Sequence, residues 1–543
     1  MTCGENSAQL DENLDWPTHG HYEHAHLYSS REEVHTFASL PQLLTRRFDY
    51  VVIGAGPIGA ALAYKLALDH PLRTIMLVEK NWNEPDRIVG ELMQPSGCQA
   101  LEELGLGNVF SGIDAVPAHG YFISYRGKQL YVPYMNRPSG KDGRYKGVSF
   151  HHGRLVMNLR AACKAMKNIV CLEAGVTELL GEHDKAGELL YVKGVKVGPA
   201  KSSGNGNDPE HDVFPQLTFV CDGITSQFRK ELNPTKIDLI SHFCGFVLEH
   251  EPISSGEHFS GPAGAIQSVA TPESSSTNPL PMPHNGHVFL DGVGPLLLYQ
   301  MSERETRVLT DIPGGELPSE ASGQLRRVLG ESLSKAVPKH VYPGLNRLLM
   351  DTLAQSKRIR CIGCKFIPAT SNRIDGAVWI GDSLNVRHPL TGGGMTVGLW
   401  DVVILTKLLK ENKGSMKQIK AQWYWERRPR ALVVNTLSVA LHALFAAETK
   451  ELGLLREACF VYLARGSHYT MHPSGFLSGL LPNPLLLIYH FFSVALLAVE
   501  LRISGKSTAY QGGNLLLRVL SAFYTLFIAA GVILPFLWKE LQP

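Results

Sequence analysis

The sequence has almost no excess of charge of either sign and few features of a secreted protein. Its 543 residues carry 52 Lys and Arg against 50 Asp and Glu, which gives a formal net charge of +2. No field of one sign therefore favours nucleic acid or another polyanion as a partner. The 9 cysteines form an odd, scattered set, and no Asn-x-Ser/Thr acceptor with x other than Pro occurs. These absences favour a reducing, cytosol-facing protein and exclude a small disulfide-stapled fold.

A cleavable signal peptide is also not expected. The first residues, MTCGENSAQLDENLDW, contain neither a basic stretch nor an apolar one. Residues 1–47 are polar and aperiodic, and they predict a disordered extension. The histidines at its centre, His21, His24 and His26, are interpreted as solvated rather than as metal ligands.

The most apolar part of the chain is its tail. Residues 483–499 and 519–538 predict two apolar helices, and the second is long enough to cross a hydrocarbon core of about 30 Å. We prefer a shallow helical hairpin in one leaflet over two true spans, with a soluble helical core as the alternative. Deleting residues 483–543 is expected to remove membrane affinity and to leave cofactor binding intact. Any remaining activity of the truncated chain would need a substrate dispersed in detergent.

Between the two ends, short apolar runs alternate with helical patterns from Phe48 to about Leu409. The runs are YVVI (50–53), TIMLVE (74–79), NIVCLEA (168–174), LTFVCD (217–222) and AVWIGD (377–382). This alternation predicts an α/β fold whose parallel sheet is assembled from distant segments. A second lobe must be interleaved with that sheet, and after about residue 415 the pattern is helical.

The first strand leads into a glycine-rich turn. GAGPIGA places Gly54, Gly56 and Gly59 in the G-x-G-x-x-G spacing. The first glycine permits the turn, the second lets the backbone approach a pyrophosphate, and the third allows close packing of helix on strand. The next strand ends in Glu79, where an acid can bind ribose hydroxyls and would repel a 2′-phosphate. The combination predicts FAD or NAD and disfavours NADP.

Two motifs farther along the chain distinguish these cofactors. VCDG contains Asp222, and WIGDSLNVRHPLTGGGMTVGLWD contains Gly381, Asp382 and the turn 389–394. That turn leads into a predicted helix whose N-terminus can face a flavin ring or ribityl phosphate. An NAD dehydrogenase needs neither motif, so the three together indicate a flavoprotein monooxygenase.

With these motifs in place, the sequence resembles the squalene monooxygenase (squalene epoxidase) family from about Asp49 to the C-terminal apolar segments. The matching stretches are DYVVIGAGPIGAALA, DRIVGELMQPSGCQAL, FHHGRLVMNLR, CDGITSQFRK, LLLYQMSERETRVLTDIPG and GDSLNVRHPLTGGGMTVGLWDVVIL. The resemblance implies an α/β fold: a Rossmann-like FAD-binding domain interleaved with a mixed-sheet substrate domain, plus a C-terminal helical membrane-associated region. The expected divisions are the extension (1–47), the FAD-binding domain (48–100, 145–235 and 361–415), the substrate-binding domain (101–144 and 236–360) and the membrane-binding region (416–543).

The resemblance also assigns residues to FAD. Glu79 would bind the adenosine ribose, Arg87 and Arg154 would contact the cofactor as cations, and Val170 or Val176 would present backbone to adenine. Asp382 would lie near the pyrophosphate and ribityl hydroxyls, and Met395 near the isoalloxazine. An ordinary surface ion pair is the alternative for each arginine. The expected set is Gly54, Gly56, Pro57, Ile58, Gly59, Glu79, Arg87, Arg154, Val170, Val176, Asp222, Gly381, Asp382, Gly393 and Met395.

Epoxidation of an unactivated alkene requires an electrophilic oxygen that side chains cannot supply. The resemblance implies a flavin C4a-hydroperoxide that converts squalene to (S)-2,3-epoxysqualene, a step of sterol biosynthesis. Tyr121 and Gln94 match the family's positioning residues. The Tyr121 hydroxyl, held by the Gln94 amide, is expected to donate toward the flavin or its hydroperoxide, with packing as the alternative for Tyr121. Tyr121, Tyr299 and Pro389 are expected at the substrate. No metal is expected, because the CIGC cysteines at 361 and 364 lack a second half-site, and both are interpreted as buried strand cysteines.

Partners and location follow from the same resemblance. We expect O2 and squalene as substrates, NADPH-cytochrome P450 reductase as electron donor, and membrane lipid as the source of squalene. The expected location is the endoplasmic reticulum membrane, with the catalytic domain facing the cytosol and lipid droplets as a second site. Two alternatives stay open: a flavin epoxidase or reductase acting on another isoprenoid in a specialised pathway, and a noncatalytic FAD-bearing membrane scaffold.

Overall fold

The computed structural model describes residues 34–138, 143–200, 209–235, 237–252, 263–266, 279–411 and 414–541. Its strands are β1 (His35–Thr36), β2 (Tyr50–Ile53), β3 (Ile75–Glu79), β4 (Leu92–Met93), β5 (Val116–Ala118), β6 (Gly120–Tyr125), β7 (Lys128–Pro133), β8 (Gly147–Ser149), β9 (Ile169–Glu173), β10 (Gly175–His183), β11 (Leu189–Gly198), β12 (His211–Val213), β13 (Leu217–Val220), β14 (Asp238–Glu249), β15 (Gly264–Ile266), β16 (Gly286–Phe289), β17 (Leu296–Gln300), β18 (Glu305–Pro313), β19 (Arg360–Phe366) and β20 (Ala377–Trp379). Its helices are α1 (Leu40–Leu43), α2 (Pro57–Asp69), α3 (Pro95–Glu103), α4 (His152–Lys164), α5 (Arg229–Leu232), α6 (Gln324–Ala336), α7 (Pro343–Gln355), α8 (Gly394–Glu411), α9 (Met416–Ala446), α10 (Lys450–Leu463), α11 (His468–Leu477), α12 (Pro484–Ile503) and α13 (Leu515–Leu541).

The first large sheet is parallel throughout, in the order β1-β9-β3-β2-β13-β20. Helices α2, α4 and α8 pack against it, so its strands are buried and appear in the sequence as continuous apolar runs. The five runs that predicted strands all contain strands of this sheet. Because parallel strands point the same way, the glycine turn after β2 and the segments after β13 and β20 meet at one edge.

Ordered structure begins before Phe48, which corrects the expected extent of the N-terminal extension. Strand β1 pairs with β9, and Leu40 and Leu43 are buried in the core of the parallel sheet. Apolar residues within 34–47 therefore cover part of that sheet. Residues 1–33, with the three histidines named above, lie outside the described part of the chain.

The second large sheet is mixed, in the order β15-β7-β6-β16-β17-β18-β14-β19, with β6 and β16 its parallel pair. Helices α6 and α7 cover one face. Strand β19 pairs with β14, so residues 360–366 belong to this sheet. The expected boundary at 361 had instead placed them with the cofactor-binding segments. The wider division into domains stays a prediction.

The last third of the described chain is helical, as the sequence indicates. Helices α9, α10, α11 and α12 pack over the second face of the mixed sheet and against each other, and α13 lies against α9, α10 and α12. Three helices, α9, α12 and α13, are long and apolar enough to cross a membrane by length and composition. Helix α9 is largely buried inside the protein, whereas α12 and α13 are mostly uncovered.

Candidate functional site

The glycine turn between β2 and α2 has the geometry that its spacing predicts. Gly54 has a φ of +98°, and a Cβ there would lie 2.6 Å from the Cys221 carbonyl oxygen. A Cβ on Gly59 would lie 1.9 Å from the Gly54 carbonyl oxygen, so only glycine allows α2 to pack this closely. A Cβ on Gly56 would meet nothing within 4 Å. The open space above Gly56 is where a pyrophosphate could approach the backbone.

Glu79, at the end of β3, is tied to this turn. The Ala55 amide donates to Glu79 Oε2 over 2.9 Å, and Arg160 Nε donates to the Ala55 carbonyl over 3.0 Å. The Arg160 guanidinium also lies 3.8 Å from Glu79 Oε2. Arg160 is buried on α4, and nothing in the local sequence distinguishes it from Arg154 in the same stretch. We infer that Arg160 shapes the turn that would receive the cofactor.

The two arginines that were expected at FAD have different surroundings. Arg87 is exposed in the segment before β4. Arg154 lies in the first turn of α4, with its NH1 3.9 Å from Asp114 Oδ2. A separation this long contributes little as an ion pair, so both the cofactor role and the ion-pair alternative stay predictions.

The geometry distinguishes the two valines expected at adenine. Val170 is the second residue of β9, about 10 Å from the carboxyl end of that strand at 3.3 Å per residue. Val176 lies beyond that end, in β10, on the side where the glycine turn lies. Nucleotides bind at the carboxyl edge of such sheets, so the geometry favours Val176 and argues against Val170.

Segments from three parts of the chain meet at this edge. Arg229 is buried, and its guanidinium donates to the carbonyls of Gly223 (2.9 Å), Asp382 (2.8 Å) and Ser383 (3.2 Å). It thereby joins the VCDG segment to the Gly381–Ser383 turn. Ile58, in the first turn of α2, packs under the same turn, where a Cβ on Gly381 would be 3.1 Å away. Sequence reasoning missed Arg229, although it lies only six residues after Gly223 of the VCDG motif.

A buried acceptor at this edge tests whether a flavin nucleotide fits. Asp222 Oδ1 is buried and has no hydrogen-bond partner among the described residues. Burial also raises the pKa of Asp222, which a hydrogen bond from the Gln227 amide to Oδ2 partly offsets. A ribose or ribityl hydroxyl could donate to this oxygen, and the space above Gly56 could hold the diphosphate. The residues present therefore fit FAD.

Gln94 is the centre of the opposite end of the site. Its Nε2 donates to the Thr391 carbonyl (2.9 Å), which places the side chain against the turn that precedes α8. Its Oε1 accepts from the hydroxyls of Tyr121 and Tyr134, each at 3.0 Å. A Cβ on Gly392, which has a φ of +61°, would lie 3.3 Å from Gln94 Nε2. The predicted pair, Tyr121 and Gln94, is thus in direct contact, and Tyr134 is an additional member.

The direction of these bonds differs from the expected one. Because Gln94 uses its amide group on Thr391, its oxygen faces Tyr121, and the tyrosine donates its proton to Gln94. The Tyr121 oxygen then presents lone pairs, rather than a proton, to its remaining surroundings. Burial raises the pKa of Tyr121 to about 12, so its hydroxyl stays protonated at neutral pH.

Tyr299 points to a second buried group. Its hydroxyl donates to Glu91 Oε2 (3.2 Å), and Arg307 forms two bonds to the same carboxylate, at 2.8 and 2.9 Å. All three side chains are buried. This network joins the GEL segment to β17 and β18 of the mixed sheet, and neither Glu91 nor Arg307 was predicted.

A third network surrounds His388, just before the Pro389–Thr391 turn. Ser241 donates to Asp311 Oδ1 (2.6 Å), and His442 Nε2 lies 2.9 Å from Asp311 Oδ2. His388 Nδ1 accepts from the Leu390 amide, so the proton of a neutral ring is on Nε2, 2.9 Å from the Ser241 oxygen. Burial alone would raise the pKa of Asp311, but His388 and His442 lower it to about 2.

The ligand-type atoms of Asp311, His388 and His442 lie within 4.8 Å of one another. A neutral His388 with a protonated Nε2 has no lone pair there for a metal, so we interpret the group as a hydrogen-bond network.

In the CIGC segment, Cys364 is buried but Cys361 is exposed, which corrects the expectation that both are buried.

A large apolar cavity adjoins the Pro389–Thr391 turn. It encloses about 990 Å³ when the space at its open mouth is counted, of which about 110 Å³ is open to the centre of a water molecule. Tyr121, Leu390 and Thr391 lie in its wall beside strands of the mixed sheet. The remaining wall comes from α9, α10, α11 and α12, through residues such as Leu441, Phe476 and Phe491. Of the residues expected at substrate, Tyr121 lines the cavity, whereas Tyr299 and Pro389 are absent from its wall.

Comparisons with known proteins agree with this arrangement. A family model described as squalene epoxidase matches residues 214–261 and 258–515. The chain is 34% identical to squalene epoxidase of Candida albicans over 91% of this chain and 99% of that protein. It is 34% identical to squalene monooxygenase of Mus musculus over 91% of this chain and 78% of that protein.

The chain belongs to the squalene epoxidase family. Among solved structures, it is similar to p-nitrophenol 4-monooxygenase from Pseudomonas putida, with a TM-score of 0.59, 16% identity, and coverage of 80% of this chain and 98% of that one. It is also similar to a Klebsiella pneumoniae protein solved with FAD, with a TM-score of 0.55, 16% identity, and coverage of 81% and 100%. The resemblance stated from the sequence is confirmed, and so is the expected fold, which is that of flavin-dependent monooxygenases.

Proposed function

We propose that this protein epoxidises the terminal 2,3-double bond of squalene to give (S)-2,3-epoxysqualene, with FAD as the cofactor and O2 as the oxygen source. One observation carries the proposal. The turn that a flavin would face contributes Leu390 and Thr391 to an almost wholly apolar cavity. A hydrocarbon chain in that cavity would place one end beside the turn that would receive the flavin. Family membership supports the same substrate.

The protein's own residues have three tasks in this reaction. Gly56 and the N-terminus of α2 would receive the FAD diphosphate, and Asp222 would accept from a hydroxyl of the cofactor. Bound FAD supplies the activated oxygen. The cavity wall excludes water from the reacting end, and Gln94 fixes the orientation of Tyr121 against the turn.

The electron donor and the membrane complete the proposal. The strand that follows the first glycine motif ends in Glu79, which would repel the 2′-phosphate of NADPH, and the sequence contains no second such motif. We therefore propose that electrons arrive through a reductase such as NADPH-cytochrome P450 reductase. Squalene has negligible solubility in water, and the uncovered faces of α12 and α13 favour uptake from lipid. Endoplasmic reticulum, with the catalytic part facing the cytosol, is the proposed location, and lipid droplets are a second one.

The decisive experiment is reconstitution of the purified full chain with FAD, reductase, NADPH and squalene. We expect 2,3-epoxysqualene by gas chromatography–mass spectrometry, and free FAD on acid release. Omitting the reductase should abolish turnover, because the sequence contains no second glycine motif at which NADPH could bind and reduce the flavin directly. Bound flavin without substrate-dependent oxygen use would favour the noncatalytic scaffold. Product from another isoprenoid, with none from squalene, would favour a specialised-pathway enzyme.

A further inference from the structure

The last turn of α13 holds a buried carboxylate that membrane attachment does not explain. Glu540 is only 3% exposed, although two residues earlier Trp538 is 67% exposed on the outer side of the same helix. Burial of a carboxylate is costly unless it is hydrogen-bonded. A helix that served only as an anchor would leave such a residue in water.

Glu540 is bonded to α9 by both its side chain and its backbone. Asn435 Nδ2 donates to Glu540 Oε1 over 2.8 Å, and Arg428 Nε donates to the Glu540 carbonyl over 2.9 Å. Asn435 is fully buried. Its second amide proton is directed to Asn385 Oδ1, at 3.0 Å. Both protons of this amide group are therefore used, one toward α13 and one toward the segment before α8.

From Asn385 the bonds continue to the turn that would face the flavin. Arg387 NH2 donates to Asn385 Oδ1 (2.6 Å), and Arg387 NH1 donates to the carbonyl of Gly394 (3.1 Å), the first residue of α8. We call Asn385, Arg387, Asn435 and Glu540 the C-terminal clamp. It spans the two ends of segment 385–394, and no part of it touches the apolar cavity.

We propose that Glu540 is a positioning residue that acts through Asn435 and Asn385 to hold segment 385–394 in the shape that receives the flavin. The inference rests on the proposed function in one respect, which is that the flavin lies at this segment. It gives the end of the apolar tail a role in the cofactor site that is separate from membrane binding.

The test is hydrogen exchange of the full-length apoprotein in detergent. Glu540→Ala removes the acceptor for Asn435, and we expect exchange of the amides in 385–396 to rise by about tenfold. The affinity for FAD, measured by quenching of flavin fluorescence, should fall by about threefold to tenfold. Glu540→Gln keeps an acceptor oxygen and should restore most of both properties. Trp538→Ala is the matched control, since it removes an outward side chain from the same turn and should leave exchange in 385–396 unchanged.

Two further measurements keep the proposal falsifiable. Asn435→Ala should raise exchange in the same segment, and the Asn435→Ala/Glu540→Ala double variant should add little more, because both remove one connection. Wild-type exchange in 385–396 of Glu540→Ala overturns the proposal, as does an equal rise in α6 and α7, which would mean general destabilisation. If the wild-type chain binds no FAD, the proposed function fails, while exchange in the apoprotein still decides the role of the clamp.

Discussion

At the scale of single residues, Gln94 joins Tyr121 and Tyr134 to the turn that precedes α8. Its amide group can donate two bonds and its oxygen can accept two, and the protein uses one donor and both acceptor positions. Exchanging the amide nitrogen and oxygen of Gln94 would break the hydrogen bond from Nε2 to the Thr391 carbonyl. Tyr121 is therefore held in one orientation at the junction between cavity and turn.

The first prediction at this scale concerns Tyr121→Phe, which removes the hydroxyl and keeps the ring. We expect FAD to remain bound, epoxidation to fall by about tenfold to a hundredfold, and leaked peroxide to rise. The reason is that the oriented oxygen of Tyr121, a preorganised polar group at the reacting end of the cavity, is lost. Product formation and the ratio of product to consumed O2 measure the effect.

Tyr134→Phe is the matched control for that prediction. Tyr134 bonds to the same Gln94 oxygen, but it is not in the cavity wall. Its loss should lower epoxidation less than that of Tyr121. If Tyr121→Phe keeps the parent rate of epoxidation and the parent ratio of product to consumed O2, Tyr121 has only a packing role.

How far such residues can be read from sequence depends on whether their partners are local. The roles of Gly54, Gly56 and Gly59 follow from spacing, because strand, turn and helix are contiguous. The buried cations Arg160 and Arg229 could not be told from surface arginines, since their partners are backbone carbonyls brought together by the fold. Gln94 was named only through the family resemblance, and its partner Thr391 is 297 residues away.

At the scale of elements, α13 has two opposite stripes. The outward stripe is Leu516, Leu520, Phe523, Phe527, Leu534 and Trp538, and the inward stripe is Ala522, Thr525, Ala529, Ile533, Leu537 and Glu540. Both follow the spacing of three and four residues that places side chains on one helix face. From Ala522 to Glu540 the helix thus lies along the protein with an apolar outer face. This arrangement supports the hairpin in one leaflet over a separate span.

The prediction for α13 is that its outward stripe binds the membrane. The double variant Phe523→Ser/Phe527→Ser should weaken binding to phospholipid vesicles by at least about tenfold, because two large apolar side chains lose their burial in lipid. Its melting temperature should change little. Vesicle flotation and thermal unfolding are the measurements.

Phe536→Ser provides the opposite control on the same helix. Phe536 packs edge-on against Phe366 of β19, with ring centroids 5.1 Å apart. It should lower the melting temperature and leave vesicle binding nearly unchanged. Unaltered flotation of the Phe523/Phe527 variant would show that the membrane contact lies elsewhere.

Elements with local patterns were predicted well, and those that depend on pairing were not. The strands of the parallel sheet are buried on both faces and so produce continuous apolar runs. The mixed sheet depends on neighbours such as β6 and β16, where Tyr121 lies opposite Gly286. No local pattern specifies that register. Helix α9 begins with charged residues, and its uncharged part, residues 431–446, is largely buried inside the protein. An apolar run of this length does not by itself distinguish a buried helix from a membrane-bound one.

At the scale of the whole molecule, the C-terminal helices do more than the sequence indicated. The sequence predicted that residues 416–543 attach the protein to membrane. In the structure, α9, α10, α11 and α12 also form one side of the cavity, opposite the mixed sheet. The apolar cavity therefore lies between two parts of the chain that were predicted as separate regions. A hydrophobic tail and a hydrophobic cavity wall have the same composition, so sequence alone could not distinguish them.

This arrangement revises the expected effect of deleting residues 483–543. Helix α12 supplies Leu487, His490, Phe491 and Val494 to the cavity, and its removal opens that wall to solvent. We therefore expect the truncated chain to lose epoxidation even when squalene is supplied in detergent, because water enters the reacting end and the substrate loses contact area. The Phe523→Ser/Phe527→Ser variant separates the two explanations, since it loses lipid contact but keeps the wall. It should recover activity in detergent while the truncated chain does not. Parent activity of the truncated chain with detergent-dispersed squalene would mean that α12 is an anchor only.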